Sequence, residues 1–369
     1  MKVHTETNLR IPGPTPLPTE VLEATSRQMI NHRGHQYEEM QARITANLQH
    51  FFQTKNDIFL LTSSGMGGLE AAIVNFFSPE DKIVAFTCGE FGNRFAEVAR
   101  RFWATVEQVQ FPPGQPVSKD EVFSVLEKIK DVKGVLFTHN ETSSGVLNDV
   151  ASFAPIVKTH PNKPLLIIDS ISALGAVDLP MDSLDIDVVV SASQKAWMAP
   201  PGLSMIAVSS YAWERHEFAK MPRYYFDLSM FKEFAAKNQT PATPAVPALF
   251  GLDMSLQLMK KEGRENIYKR HLELMNYFRE GVAKLGLELF VHDSHASPTL
   301  TSIIVPDEID AKQWIDIMRT KYNTVIAGGM GETKGKIIRV AHMGNVDRRD
   351  LDEVLEGLKR SLPEVKKYV

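Results

Sequence analysis

Short apolar runs and stretches of helical spacing alternate through the first 208 residues. The runs at 58–61, 83–86, 105–109, 135–138, 165–169, 188–191 and 204–208 are rich in β-branched residues and predict seven strands. Helical patterns at 69–77, 94–102 and 119–129 lie between them, after two earlier helices from Thr19 and over 36–52. Strands that alternate with helices predict an α/β domain with a mainly parallel sheet covered on both faces.

Two proline-rich stretches punctuate this pattern. Ile11-Pro-Gly-Pro-Thr-Pro-Leu-Pro18 must be extended or turning, because proline fixes φ and lacks an N–H. Thr240-Pro-Ala-Thr-Pro-Ala-Val-Pro247 places a proline at every third position. A long helical region follows at 248–285, interrupted near Gly263, and then strands at 301–305 and 337–340 and a helix from Asp347. The expected division is therefore a large domain, 1–245, and a smaller C-terminal α/β domain, 246–369.

Candidate chemistry sits where predicted strands end. Leu165-Leu-Ile-Ile-Asp-Ser170 finishes in a carboxylate, and Val188-Val-Val-Ser-Ala-Ser-Gln-Lys195 finishes in an amine before a Pro-Pro-Gly breaker. Strand ends are where open α/β sheets bind ligands. Taken singly, Asp169 reads as a helix cap and Lys195 as a solvated charge. Together they suit pyridoxal phosphate, with the lysine forming a Schiff base and the acid pairing with the ring nitrogen.

Other residues add to the case. Thr62-Ser-Ser-Gly-Met-Gly-Gly68 is a small polar turn between a strand and a helix, where exposed N–H groups attract a phosphate and Ser63 and Ser64 add hydroxyls. Phe91, between glycines at another strand end, can stack on a flat cofactor. His139-Asn-Glu-Thr-Ser-Ser-Gly145 puts more polar groups at a strand end than a turn requires. Gln194 can donate to a phosphate or phenolic oxygen, and Arg339, inside an apolar strand, matches a substrate carboxylate bidentately.

Composition narrows the field. A net charge of −4 gives no basic footprint for nucleic acid and no polybasic membrane patch. No apolar run is long enough to span a bilayer, and the N-terminal ten residues lack a signal-peptide core. The C-terminal residues match no retention or peroxisomal signal. A single cysteine, Cys88, excludes an internal disulfide framework and fits a reducing compartment, so the cytoplasm is expected.

In order along the chain, Gly13-Pro-Thr-Pro, Ser64-Gly-Met-Gly-Gly-Leu-Glu-Ala, His139-Asn-Glu-Thr-Ser-Ser-Gly, Asp169-Ser-Ile-Ser-Ala-Leu-Gly, Ser193-Gln-Lys-Ala, Ala199-Pro-Pro-Gly and Ile338-Arg-Val-Ala-His-Met-Gly resemble the class V aminotransferases. The branch most resembled is the alanine–glyoxylate and serine–glyoxylate (serine–pyruvate) one. The resemblance implies a fold-type I pyridoxal-phosphate enzyme acting as a homodimer with shared active sites. It implies ping-pong transamination between alanine or serine and glyoxylate or pyruvate.

By the same resemblance Lys195 would carry the cofactor and Asp169 would face its ring nitrogen. Phe91 would stack on the ring, beside Ile171 among the cofactor contacts, and Ser143 would lie near the phenolic oxygen. Ser64, Gly65, Met66 and Gln194 would line the phosphate side, and Thr240 and Thr243 would reach it from the partner subunit. Arg339 would hold the substrate carboxylate, with Gly13 near the mouth. Phe91 stands where some members carry Trp, Met66 where some carry His, and Thr240 where animal enzymes have Tyr. Those departures bear on cofactor affinity and substrate choice.

Competing readings make different demands. A cysteine desulfurase needs a mobile nucleophilic cysteine, and Cys88 follows a predicted strand instead. A 2-aminoethylphosphonate–pyruvate aminotransferase, suggested by Asn31-His-Arg33, needs an additional cation for the phosphonate. A non-catalytic subunit of the same fold has no need of an intact Lys195, Asp169 and Arg339. A nucleotide-binding oxidoreductase would carry the glycine fingerprint that is missing here.

Overall fold

The computed structural model describes residues 7–365. Most of the residues on which the terminal-signal readings rest, 1–6 and 366–369, lie outside them. All seven expected strands form and join one sheet: β1 (Asp57–Thr62), β2 (Lys82–Thr87), β3 (Thr105–Gln110), β4 (Val132–Thr138), β5 (Leu165–Asp169), β6 (Val188–Ala192) and β7 (Leu203–Val208). Their order is β1-β7-β6-β5-β4-β2-β3. Only β7 is antiparallel to its neighbours. The carboxyl ends of β1, β2, β4, β5 and β6 therefore share one edge.

Side chains alternate across this sheet, as the two-residue strand period requires. Ile58, Val84, Phe86, Val135, Phe137, Ile168 and Val189 enter one apolar core. Phe59, Ile83, Ala85, Leu136, Ile167, Val188 and Ile206 enter a second core on the opposite face. Helices α1 (His35–Phe52), α2 (Gly65–Phe76) and α3 (Glu90–Arg101) supply much of the cover. With both faces covered, the inner strands are apolar throughout rather than in alternate positions, whereas the edge strand β3 carries Glu107, Gln108 and Gln110 and has no buried residue.

The proline-rich stretch at 240–247 leads directly into α4 (Val246–Glu262). Leu249, Leu252 and Leu256 of α4 belong to the first core of the large sheet. Gly263, at φ +89°, breaks the expected long helix and starts α5 (Arg264–Lys284). A third core, around Phe278, Trp314, Ile338 and Leu358, begins in α5. Packing thus passes from one core to the other within α5. The third core is built on β8 (Leu300–Ile304), β9 (Ala327–Gly328) and β10 (Ile337–Ala341), ordered β8-β10-β9. Asn8–Leu9 also pairs with Thr324–Val325, so residues 8–9 return to this C-terminal unit. Among the described residues no helix is long and apolar enough to cross a membrane.

Candidate active site

Lys195 follows β6 on a loop closed at its base. Ser193 Oγ donates to Pro200 O (2.6 Å), and the Leu203 N–H donates back to that hydroxyl (3.3 Å). Trp197, fully buried, donates from Nε1 to Ser191 Oγ (2.7 Å) and stacks on Phe52 at 5.9 Å. The lysine backbone is thereby fixed, and the side chain reaches the Pro12 carbonyl, to which Nζ donates. Burial pushes the amine down from 10.5 to about 8; Arg339 acts in the same direction and Asp169 against it.

Asp169 ends β5, adjacent to β6 in the sheet. Its Oδ1 accepts from the Ile171 N–H (3.0 Å), and its carbonyl accepts from the His139 N–H (2.8 Å). Burial raises the carboxyl from 3.8 to about 7; the Ile171 N–H opposes this, Glu141 adds to it and Lys195 opposes it. His139 is buried and bonded through Nδ1 to Ser170 Oγ (3.0 Å), and burial lowers it to about 4, so it is neutral.

Arg339 lies in the middle of β10 and is 6% exposed. Nε donates to Gly328 O (2.8 Å) and Nη1 to Thr142 O (2.7 Å). Burial lowers it from 12.5 to about 10, with Glu141 opposing. It remains a cation, with the rest of its five-donor fork available to an anion.

Around these groups the backbone approaches closely. A Cβ on Gly13, whose φ is +110°, would stand 2.7 Å from Lys195 Nζ. One on Gly65 would stand 2.6 Å from Ile171 Cδ1, so Ile171 packs directly on the start of α2. Ser64 is the N-cap of α2 and makes no side-chain cap bond, and both Ser64 and Met66 are exposed. Gln194 Oε1 is buried without a partner among the described residues. Phe91, in the first turn of α3, has the Arg94 guanidinium 5.3 Å from its ring centroid.

These features fit a flat anionic aldehyde: an amine, a buried acid, a bare helix N-terminus, an aromatic ring and, in Gln194, an amide whose NH2 can donate to an anion. Thr240 and Thr243 are not brought to the group. Thr240 is buried, donates to Ala242 O (2.8 Å), and has its own carbonyl held by Arg33. Thr243 is exposed. Neither is hydrogen-bonded to a residue near Lys195 among the described residues.

Sequence reasoning assigned Glu141 no role. It is fully buried, and its carboxylate accepts from the N–H groups of Phe91 (3.1 Å), Gly92 (3.0 Å) and Ser143 (3.0 Å) and from Ser143 Oγ (2.6 Å). Ser143 Oγ in turn accepts from the Glu90 N–H (3.0 Å). Glu141 thus joins the ends of β2 and β4 and sets Phe91 and Ser143. The signal was the length of the polar run after β4, which does not say which member is buried. Cys88 is buried beside Asn148, and burial pushes its thiol up to about 12.

Residues 7–344 match the family described as aminotransferase class-V. The chain is 40% identical over 359 residues to the soluble hydrogenase 42 kDa subunit of Anabaena cylindrica, covering 97% of this chain and 93% of that protein. It is 33% identical over 360 residues to alanine–glyoxylate aminotransferase of Callithrix jacchus, covering 95% and 86%. The crystal structure of alanine–glyoxylate aminotransferase from Nostoc sp. superimposes with a TM-score of 0.93 at 28% identity, covering 98% of this chain and 96% of that one. The sheet order, the lysine and acid at adjacent strand ends and these likenesses agree: the chain belongs to the class V aminotransferases, a family dependent on pyridoxal phosphate.

Proposed function

We propose that this enzyme transfers the amino group of alanine or serine to glyoxylate or pyruvate, with Lys195 as the cofactor-bearing residue. The observation that carries the reading is the electrostatic pairing of Lys195 with Asp169 at neighbouring strand ends, facing the Arg339 strand. When bound, pyridoxal phosphate supplies an aldehyde that links to amines and a ring that accepts the electron pair left at Cα.

The protein's own residues do the rest. Lys195, shifted toward neutrality by burial, would hold the cofactor through its aldehyde and would serve as general base and acid for the donor's Cα proton. Asp169, held near 7 by burial, would be the partner of the ring nitrogen and would favour its protonated form. Arg339 orients the donor through its carboxylate. Phe91 and Ile171 would hold the ring, and Ser143 would bind its phenolic oxygen. The N-terminus of α2 with Ser64, Gly65, Met66 and Gln194 would take the phosphate. Gly13 leaves room for the amine at the mouth.

A homodimer belongs to the same proposal. Thr240 and Thr243, apart from the lysine within one chain, gain a use when a second copy brings them to the phosphate. The lone buried cysteine accords with a cytoplasmic setting. The Anabaena protein's name concerns a hydrogenase; the residues gathered here are those of amine and carboxylate chemistry, and the reading follows them. A phosphonate donor would need an additional cation, and Arg33 of the Asn31-His-Arg33 run has its guanidinium engaged by the carbonyls of Thr240 and Pro241.

The test is spectroscopic. Purified protein with added pyridoxal phosphate should show the yellow band of a lysine-linked cofactor, bleached by alanine or serine and restored by glyoxylate or pyruvate. Lys195→Ala should abolish the band and turnover. Full activity in that variant, or bleaching by 2-aminoethylphosphonate alone, overturns the reading.

A further inference from the structure

The N-terminal segment ties the two halves of the site together. Beyond the pairing of Asn8–Leu9 with Thr324–Val325, the Arg10 N–H donates to Val325 O (2.8 Å). The Arg10 carbonyl accepts from the Ala341 N–H (2.8 Å), at the end of the strand that carries Arg339. The Arg10 side chain, 4% exposed, donates from Nε to Asn8 Oδ1 (2.6 Å) and lies 3.6 Å from Asp350. Five residues on, the other end grips the lysine. The Thr15 N–H donates to Gln194 O (3.1 Å), Thr15 Oγ1 donates to Lys195 O (3.0 Å), and Pro12 O accepts from Lys195 Nζ.

Transamination displaces the lysine from its covalent partner in every cycle. A freed ammonium in a buried site needs an acceptor, or desolvation penalises it. Its four-carbon stem also has rotamers to lose if the amine is to return to one place. The Pro12 carbonyl supplies the acceptor. Gly13 supplies the space, since any Cβ there would meet Lys195 Nζ at 2.7 Å and Cδ at 2.8 Å. Thr15 fixes the main chain from which the stem swings.

We propose that residues 8–15 form a strap that parks the displaced Lys195 amine on the Pro12 carbonyl. Gly13 and Thr15 are positioning residues, and Arg10 fastens the strap to the strand of Arg339. The proposal rests on the assignment of Lys195 as the cofactor-bearing residue. Through the strap, the strand that receives the substrate carboxylate and the amine that moves the proton share one mechanical connection.

The experiment begins with cofactor-free protein. Acylation of Lys195 by an amine-reactive ester is followed by mass spectrometry against pH in wild type and Gly13→Ala. The charged groups facing the amine, Asp169 from β5 and Arg339 from β10, are unchanged in both. Driving the ammonium off its acceptor should lower the half-point of labelling by about one pH unit, the loss of one charge-assisted hydrogen bond. A profile that superimposes on wild type, or moves upward, overturns the proposal.

In the loaded enzyme, Thr15→Val should lower kcat about tenfold with the donor KM changed less than about twofold, since Thr15 holds the lysine and not the substrate. Thr15→Ser should restore it, with melting temperatures matched across the pair. A rise in KM at unchanged kcat counts against the strap. Failure of wild type to form the yellow band sinks the Lys195 assignment instead, and the cofactor-free labelling separates the two outcomes.

Discussion

Burying a lysine that is protonated at neutral pH is costly, and the cost is measurable at Lys195. Unfolded, its amine titrates near 10.5; folded, burial holds it at about 8. Below pH 8 both states carry the proton, and the native state bears the whole penalty of a buried cation. Between 8 and 10.5 the unfolded chain keeps a proton that the native chain has lost, so stability rises with pH across that window. The displacement corresponds to about 3 kcal/mol. Methionine has an unbranched stem and no charge, so it can occupy the channel without the penalty. Lys195→Met should therefore be more stable than wild type at pH 7 by about 2–3 kcal/mol, and its lead should shrink toward zero by about pH 10.5. Asp169 loses a cation in the variant, but burial chiefly sets its proton affinity, so this opposing effect is smaller. Urea unfolding at pH 7, 8, 9 and 10 reads the difference. It must use cofactor-free protein, because a ligand bound only to the native state adds stability by mass action. A variant less stable than wild type at pH 7, or a lead that is flat across pH, refutes the reasoning.

Two further outcomes follow from the site. Asp169→Asn keeps the shape but removes the charge that holds a proton on the ring nitrogen, so kcat for the donor half-reaction should fall by about 10²–10³-fold while the yellow band still forms; stopped-flow absorbance would show both. Arg339→Lys exchanges a planar fork for a point charge, and the donor KM should rise by about tenfold or more with a smaller change in kcat. Steady-state kinetics with alanine reads the split, and an unchanged KM would remove Arg339 from carboxylate binding.

The inner strands were legible in the sequence because buried β-strands are continuous apolar runs; the exposed edge strand β3 was legible only from its β-branched Thr105, Val106 and Val109, and all seven joined the sheet. The starts of the helices were not. Apolar spacing put two helices at 69 and 94, whereas they begin at Gly65 and Glu90. The missing first turns, Gly-Met-Gly-Gly and Glu-Phe-Gly-Asn, are glycine-rich because their backbones pack closely, Gly65 on Ile171, Gly68 on Val190 and Gly92 on Thr87, so they offer few of the apolar side chains from which helical periodicity is read. Lys195, Asp169 and Arg339 could be read because each charge interrupts or ends an apolar run. Glu141 was hidden among equally polar neighbours, and burial is what distinguishes it. The strap was hidden for a different reason. Its prolines announced an extended chain, but the main-chain partners of Arg10 and the partners of Thr15 lie more than 170 residues away.

The antiparallel strand β7 gives the site its rigidity. The peptide leaves β6, presents the amine, and re-enters the sheet beside the same strand, with Ser193 stapling the base and Trp197 anchored below. Main-chain travel at position 195 is therefore denied, and whatever distance the nitrogen covers in a catalytic cycle must come from torsions of its own side chain. Lengthening the 194–202 turn by even one residue would displace the nitrogen relative to its acid. The same insertion at the exposed 236–238 connection would leave that geometry alone.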